Sequence, residues 1–328
     1  MRKLSGQTWY LLMVAACSAA LIGYLLWPEA QAGLRRLELE DITFDGRAAY
    51  AHLKQICELG PRVSGSAGMQ AQQELLVKHF KQCGAEVELQ RFKTRHPLDG
   101  SAVEMANLIA RWRPERNERV LLCAHYDTRP FPDRDRFRPQ GRFVGANDGA
   151  SGVAVLMELG RRLPELEGKL GVDIALFDGE ELVYGDVGDY FLGSTWFARQ
   201  YVANQPGPKY RWAVLLDMVG DANLRILQEV NTMRWRDSRP LVEGIWSTAR
   251  RLGVREFVPR RGFELRDDHL PLHDIAGIPA CDIIDFEYPH WHTEGDTADK
   301  CSALSLAKVG WVVHEWLKTA VGGKAATK

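Results

Sequence analysis

Three apolar runs in this chain end in ionisable side chains, and this pattern constrains the fold more than any other feature. Val172-Asp-Ile-Ala-Leu-Phe-Asp-Gly-Glu-Glu181 is a strand-like run that Gly179 breaks, so Glu180 and Glu181 arrive together at a strand's carboxyl end. Val120-Leu-Leu-Cys-Ala-His125-Tyr-Asp127 ends in a His and an Asp, and Ala213-Val-Leu-Leu-Asp217 ends in an Asp. Asp148 lies in the turn Gly145-Ala-Asn-Asp-Gly-Ala-Ser-Gly152, which opens an apolar helix over 153–163. His292 lies in His290-Trp-His-Thr-Glu-Gly-Asp296, just after a strand over 280–285. In open α/β sheets, ligands bind beyond the carboxyl ends of the strands. Residues delivered to that edge by several strands and one helix start therefore converge on one site.

Paired carboxylates at a strand end are costly to desolvate unless a cation accompanies them. The available ligands are imidazole and carboxylate, with no matched cysteine clusters. That set suits zinc with an open coordination position, as in a catalytic site; manganese or cobalt fits the same ligands. One glutamate can hold the metal while its neighbour moves protons. Taken singly, each motif has a plainer reading. Asn147-Asp148-Gly149 is a turn and helix cap, His125 a core histidine, Glu180-Glu181 a solvated helix start and Asp217 a strand-end cap. Their number and arrangement point to chemistry.

Strands alternate with helices along the chain. Helices are expected over 47–59, 67–83, 153–163, 194–203, 241–252, 269–274 and 304–319. Strands are expected over 86–92, 106–112, 119–124, 172–177, 212–218, 224–230 and 280–285. This order argues for a three-layer α/β sandwich around a mostly parallel sheet.

Six motifs in order, His-Tyr-Asp (125–127), Asn-Asp (147–148), Asp-Gly-Glu-Glu (178–181), Leu-Leu-Asp (215–217), Asp-Asp-His (267–269) and Trp-His-Thr (291–293), carry a family resemblance. From about residue 47 to residue 320, the chain resembles the zinc-dependent aminopeptidase-like exopeptidases, a family that also contains the animal-type glutaminyl-peptide cyclotransferases. The resemblance implies a central mixed sheet with helices on both faces. It implies zinc held by Asp148, Glu181 and His292, with Glu180 as the proton shuttle. Asp217 and Asp267 would be hydrogen-bonded acidic partners of Glu180, and Trp291 would line the substrate pocket. A cyclase would convert the N-terminal glutamine of a peptide to pyroglutamate and release ammonia. An aminopeptidase would use the same residues to hydrolyse the N-terminal residue. His125 and Asp217 would then add a second metal bridged by Asp148, and Glu180 would activate water. A third class, non-catalytic ectodomains of this fold, would be signalled by loss of Glu180 or a metal ligand, and none is lost.

The doublet Asp267-Asp268, the Trp before His292 and Pro97-Leu-Asp-Gly with Ala106-Asn-Leu-Ile lean towards the cyclase. One departure lies after the Glu pair, where animal cyclases carry a pocket Trp and this chain has Asp186. Trp196 stands too far along to replace it.

Residues 8–27 are apolar without a charge and follow Arg2 and Lys3. About 20 helical residues span roughly 30 Å, one hydrocarbon core. An uncleaved signal-anchor, a signal peptide cleaved after Ala32 and a lipoprotein box at Val14-Ala-Ala-Cys17 are the readings of residues 1–33, though the apolar run continues past Cys17. All three place the remaining chain outside the cytoplasm. Residues 34–46 read as a charged spacer or first structured turn, and 47–328 as a single catalytic domain. Roughly 290 residues are enough for one large core. The net charge is −1 and no long basic stripe appears, which argues against nucleic-acid binding. Peptide or protein N-termini and, through 8–27, a membrane are the expected partners.

Five cysteines follow the apolar run: Cys57, Cys83, Cys123, Cys281 and Cys301. An odd number leaves at least one unpaired or paired between chains, and Cys57 with Cys83 is a possible disulfide. The Pro- and Arg-rich stretch 129–142 reads as a solvated loop, with a lid over the site as the alternative.

Overall fold

The strands occupy Glu86–Arg95 (β1), Ala102–Trp112 (β2), Glu118–His125 (β3), Gly171–Phe177 (β4), Lys209–Asp217 (β5), Ile226–Gln228 (β6), Phe257–Arg261 (β7) and Ala280–Ile284 (β8). The helices are Gly46–Glu58 (α1), Ala67–Gln82 (α2), Ala150–Arg162 (α3), Leu192–Ala203 (α4), Val230–Arg234 (α5), Arg239–Leu252 (α6), His269–Asp274 (α7) and Ala303–Gly322 (α8). These belong to a computed structural model that describes residues 36–322. The apolar run 8–27 and the cleavage position after Ala32 lie outside the described residues. Among the described residues, no helix is long and apolar enough to cross a membrane.

One sheet has the order β1-β2-β4-β3-β5-β8. The pairs β4-β3, β3-β5 and β5-β8 are parallel, whereas β1-β2 and β2-β4 are antiparallel. The sheet is therefore mixed, with a parallel half. Every residue of β4 is buried and all but the first of β3, as expected of parallel strands covered on both faces. β1 alternates at the sheet edge.

The two faces follow the strand alternation. Leu121, Cys123, Ala175, Phe177, Ala213 and Leu215 pack with Phe197 of α4 and Leu272 of α7. On the other face α3 crosses so closely that a methyl group at Gly152 would lie 2.1 Å from Leu216 O and 3.1 Å from Ala124 Cβ. α1 and α8 pack against α3. Each large apolar side chain buried in these layers contributes about 1.5–3 kcal/mol. The register sets His125 beside Phe177 and Asp217 beside Ile284, so the parallel strands finish along one edge.

Within the spacer or first structured turn expected over 34–46, Leu39–Asp41 forms a 3-10 turn and Phe44 is buried against Gly310 of α8. Two expectations need correction. The strand expected over 224–230 shrinks to β6, because Glu229 leaves it to cap α5, accepting hydrogen bonds from Asn231 N (2.8 Å) and Thr232 N (2.7 Å). β6 pairs instead with β7, a strand without an apolar run to mark it, in a second two-stranded sheet. Cys57 and Cys83 are both free thiols. Cys83 lies 3.6 Å from His79 Nε2 near Arg161, whereas Cys57 faces Arg62, so separate surroundings keep them unpaired.

Candidate active site

The turn after β4 is built to aim the two glutamates. Gly179 has φ 76°, a left-handed conformation that favours glycine, and a methyl group there would also strike Met105 Cε at 2.1 Å. The next two amides, Glu180 N and Glu181 N, donate to the two carboxylate oxygens of buried Asp127 at 3.1 and 3.0 Å. Asp127, two residues beyond the end of β3, thus fixes the backbone of the pair. Asp296 does the same for the α3 turn, accepting from Asn147 N (2.8 Å) and Asp148 N (3.0 Å).

Asp148, Glu181 and His292 come together. Their ligand atoms lie within 4.8 Å of one another, and all three residues are buried. His292 Nε2 is 2.8 Å from Glu181 Oε1 and 3.5 Å from Asp148 Oδ2, and the latter oxygen is buried without a hydrogen-bond partner. One imidazole and two carboxylates around an unsatisfied oxygen fit a zinc ion that keeps an open position. The other ring nitrogen, His292 Nδ1, is 3.2 Å from Asp133 Oδ1, the carboxylate partner that orients metal-binding histidines. His292 itself has φ 55°, uncommon for a residue other than glycine, and is held there by its neighbours.

Cations surround this trio. Arg129 donates to Glu181 through its backbone N (3.1 Å) and Nη1 (3.3 Å), and reaches Asp133 with Nη2 at 2.7 Å. Burial pushes the Glu181 carboxyl up, but His292 and Arg129 outweigh it and hold it at about 2. Burial pulls His292 down, yet Glu181 and Asp133 raise it to about 9. Asp148 is pushed up to about 7 by burial and then by Glu181.

The other side of Glu181 is different. Glu180 is half-buried, and its carboxyl is pushed well above the ordinary range by burial and by Glu181, with Asp267 and Asp268 acting the same way. Asp267 and Asp268 act on Glu180 as like charges, and His125 opposes them. Asp217 accepts from His125 Nε2 at 3.2 Å, and that nitrogen is also 3.2 Å from Asp148 Oδ1. His125, Asp148 and Asp217 form a second trio with ligand atoms within 4.8 Å. Behind them, wholly buried His269 has Nε2 3.5 Å from Glu229 and Nδ1 3.7 Å from Asp282.

Trp291 lies at the site, its ring centroid 4.2 Å from that of His292 and 4.7 Å from that of Phe286, with the Arg134 guanidinium 3.9 Å above it. Asp186 is exposed, and Trp196 stacks on Phe92 in a cluster with Val103, Met105 and Leu182. The loop 129–142 is only partly the solvated segment expected. Its first half is tied down by Arg129, Asp133 and Asp135, the last accepting from Glu294 N at 3.1 Å, while Phe137 is 86 % exposed.

Sequence reasoning offers Asp127 as a candidate ligand, whereas it anchors the glutamate backbone, and it assigns no role to Arg129, Asp133 or Asp296. Asp296 stands inside the motif of His292, so its spacing is an available signal. Asp133 meets His292, and Arg129 meets Glu181, only through the fold.

A model of peptidase family M28 matches residues 107–317. The glutaminyl-peptide cyclotransferase of Drosophila melanogaster is 26% identical over 75% of this chain and 74% of its own length. The crystal structure of Fimbriiglobus ruber glutaminyl cyclase is 40% identical, with a TM-score of 0.80 over 84% of this chain and 95% of that one. A leucine aminopeptidase precursor from Bacteroides thetaiotaomicron is 32% identical, with a TM-score of 0.78 over 84% and 97%. With a family model spanning most of the described fold and solved relatives of this similarity, the chain belongs to peptidase family M28, within its glutaminyl-cyclase and zinc-exopeptidase relatives.

Proposed function

We propose that this protein is a zinc-dependent glutaminyl-peptide cyclotransferase, converting the N-terminal glutamine of peptides to pyroglutamate with release of ammonia. One observation carries the reading: Glu180 and Glu181 are adjacent, yet burial and Glu181 push the first carboxyl up while His292 and Arg129 hold the second down. That is the division of labour between a proton shuttle and a metal ligand. The 40% identity to a glutaminyl cyclase supports it.

Asp148, Glu181 and His292 would hold the zinc, which when bound supplies Lewis-acid polarisation of the substrate's carbonyl. Glu180 would accept the proton that the α-amine loses as its nitrogen bonds to the side-chain amide carbon (Cδ) of the glutamine. It would return that proton to the departing amide nitrogen as the carbon–nitrogen bond breaks, so ammonia leaves and Glu180 is restored. Asp127 keeps both glutamate backbones in place. Trp291 would form an apolar wall for the glutamine side chain.

The trio His125, Asp148 and Asp217 favours a second reading, an aminopeptidase with a second ion there and Glu180 activating water. A peptide beginning Gln-Leu, incubated with the zinc-loaded protein, separates the two by mass spectrometry. Loss of ammonia alone is expected. Loss of the whole N-terminal residue would establish the aminopeptidase and overturn the cyclase.

We further place this domain outside the cytoplasm, tethered by residues 8–27 or released after Ala32. The uncharged apolar run behind Arg2 and Lys3 supports this. Fractionation with an antibody to the catalytic domain tests it: recovery in the cytoplasmic fraction would overturn the placement.

A further inference from the structure

The mouth of the site carries positive charge that the chemistry above does not use. Arg134 follows Asp133, the residue that orients His292, and its backbone N donates to His292 O at 3.1 Å. Its guanidinium, exposed to solvent, lies 3.9 Å from the centre of the Trp291 ring. Among the described residues it meets no carboxylate, unlike Arg129, which pairs with Asp133 and Glu181, or Arg138, which pairs with Glu294. Arg266, beside Asp267, is a second exposed guanidinium, which among the described residues pairs with no carboxylate and lies 6.0 Å from the centre of the Phe191 ring.

We propose that Arg134, with Arg266 as a weaker second contact, selects peptides that present a carboxylate just beyond the N-terminal residue. This rests on the peptide N-terminus reading above. A guanidinium lying against an indole face keeps its N–H groups for a partner, and their planar fork matches a carboxylate bidentately. The ring contact also fixes the long side chain, so less rotamer freedom is lost when a substrate binds. In this proposal a substrate whose first side chain reaches Trp291 leads its second residue along the edge that Arg134 covers. That residue then passes within reach of Arg134. The carboxylate can be an acidic side chain at the second position or the free carboxyl terminus of a dipeptide.

The test compares Gln-Glu-amide, Gln-Gln-amide and Gln-Gln with a free carboxyl terminus on the zinc-loaded full chain. For the intact protein, kcat/KM is expected about 3- to 10-fold higher for each carboxylate-bearing peptide than for Gln-Gln-amide, with the gap narrowing as salt rises. Whichever carboxylate gives the larger gap identifies its source. Arg134→Ala should bring the ratio close to one, Arg266→Ala should reduce it by less, and Arg138→Ala should leave it in place. Equal turnover of the three peptides by the intact protein, or a ratio that survives Arg134→Ala, would overturn the proposal. Calorimetric binding of the same peptides to Glu180→Gln reads the preference without turnover. A Kd preference there that disappears with the added Arg134→Ala upholds the carboxylate contact even if no ammonia is released, an outcome that would count against the cyclase reading alone. Equal Kd values sink the contact itself.

Discussion

Glu180 and Glu181 are joined by one peptide bond and share one anchoring carboxylate, yet their surroundings are opposite. Glu181 faces His292 and Arg129, and its carboxyl is held at about 2. Glu180 faces Glu181, Asp267 and Asp268 as well as His125, and burial with the acids outweighs that imidazole and drives its carboxyl upwards. Burial acts on both in the same direction, so the neighbours decide the difference. The chain supplies a matched pair of acids, and the fold gives them separate tasks. A metal ligand needs permanent charge. A proton carrier needs to exist in both forms.

The comparison breaks most sharply if the two acids are interchangeable. Glu180→Gln should lower kcat by about 10²–10⁴, the usual contribution of a placed acid–base group. It should leave zinc content near that of the unaltered protein, because Asp148, Glu181 and His292 remain. Glu181→Gln should instead lose zinc along with activity. Metal analysis beside turnover decides between them. If Glu180→Gln turned over normally, or Glu181→Gln kept its zinc, the separation of roles argued here would be wrong.

A smaller effect sharpens the cationic half of the comparison. Asp133→Asn removes the carboxylate charge 3.2 Å from His292 Nδ1 and one partner of Arg129 while conserving shape. Residues of this kind typically change metal affinity 10- to 100-fold. Competition with a zinc chelator should show a loss in that range, with most of kcat recovered at saturating zinc. An unchanged zinc affinity would mean that Asp133 serves only to pin the loop.

Much of this centre is legible in the sequence. Glu180, Glu181, His125 and Asp217 end apolar strands, and alternation alone marks where such strands stop. Asp148 announced itself through a glycine-rich turn before an apolar helix. The second tier was hidden for a physical reason. Asp133 and His292 are far apart in the chain, and no local pattern distinguishes Asp133 from Asp135 two residues later. β7 was missed because Phe257 alone of its residues is buried, so it lacks the apolar repeat that reveals a strand.

The acidic half of the comparison also predicts how stability follows pH. Asp178, held by Ser64 Oγ at 2.7 Å and Ala106 N at 3.0 Å, and Asp268, bonded to Ser194, are both pushed from 3.8 to about 7, chiefly by burial. A group whose folded pKa is raised contributes stability that is complete below its unfolded value and is lost as pH rises through the folded one. Glu181 and Asp133, both near 2, act in reverse, and their contribution disappears only as pH falls through about 2. Between pH 5 and 8 the first pair, with Asp148 and His292, lowers stability as pH rises, against the opposite effect of the lowered His52. Metal-stripped protein should melt at a lower temperature at pH 8 than at pH 5, by about 2–4 °C for each kcal/mol lost in a domain of this size. Asp268→Asn cannot ionise and should flatten part of that slope. Zinc should offset the loss, because its ligands bind it as carboxylates and its affinity rises with pH. A metal-stripped protein that gained stability from pH 5 to 8 would show that the buried acids around Glu180 ionise without cost, and the contrast between the two glutamates would lose its physical basis.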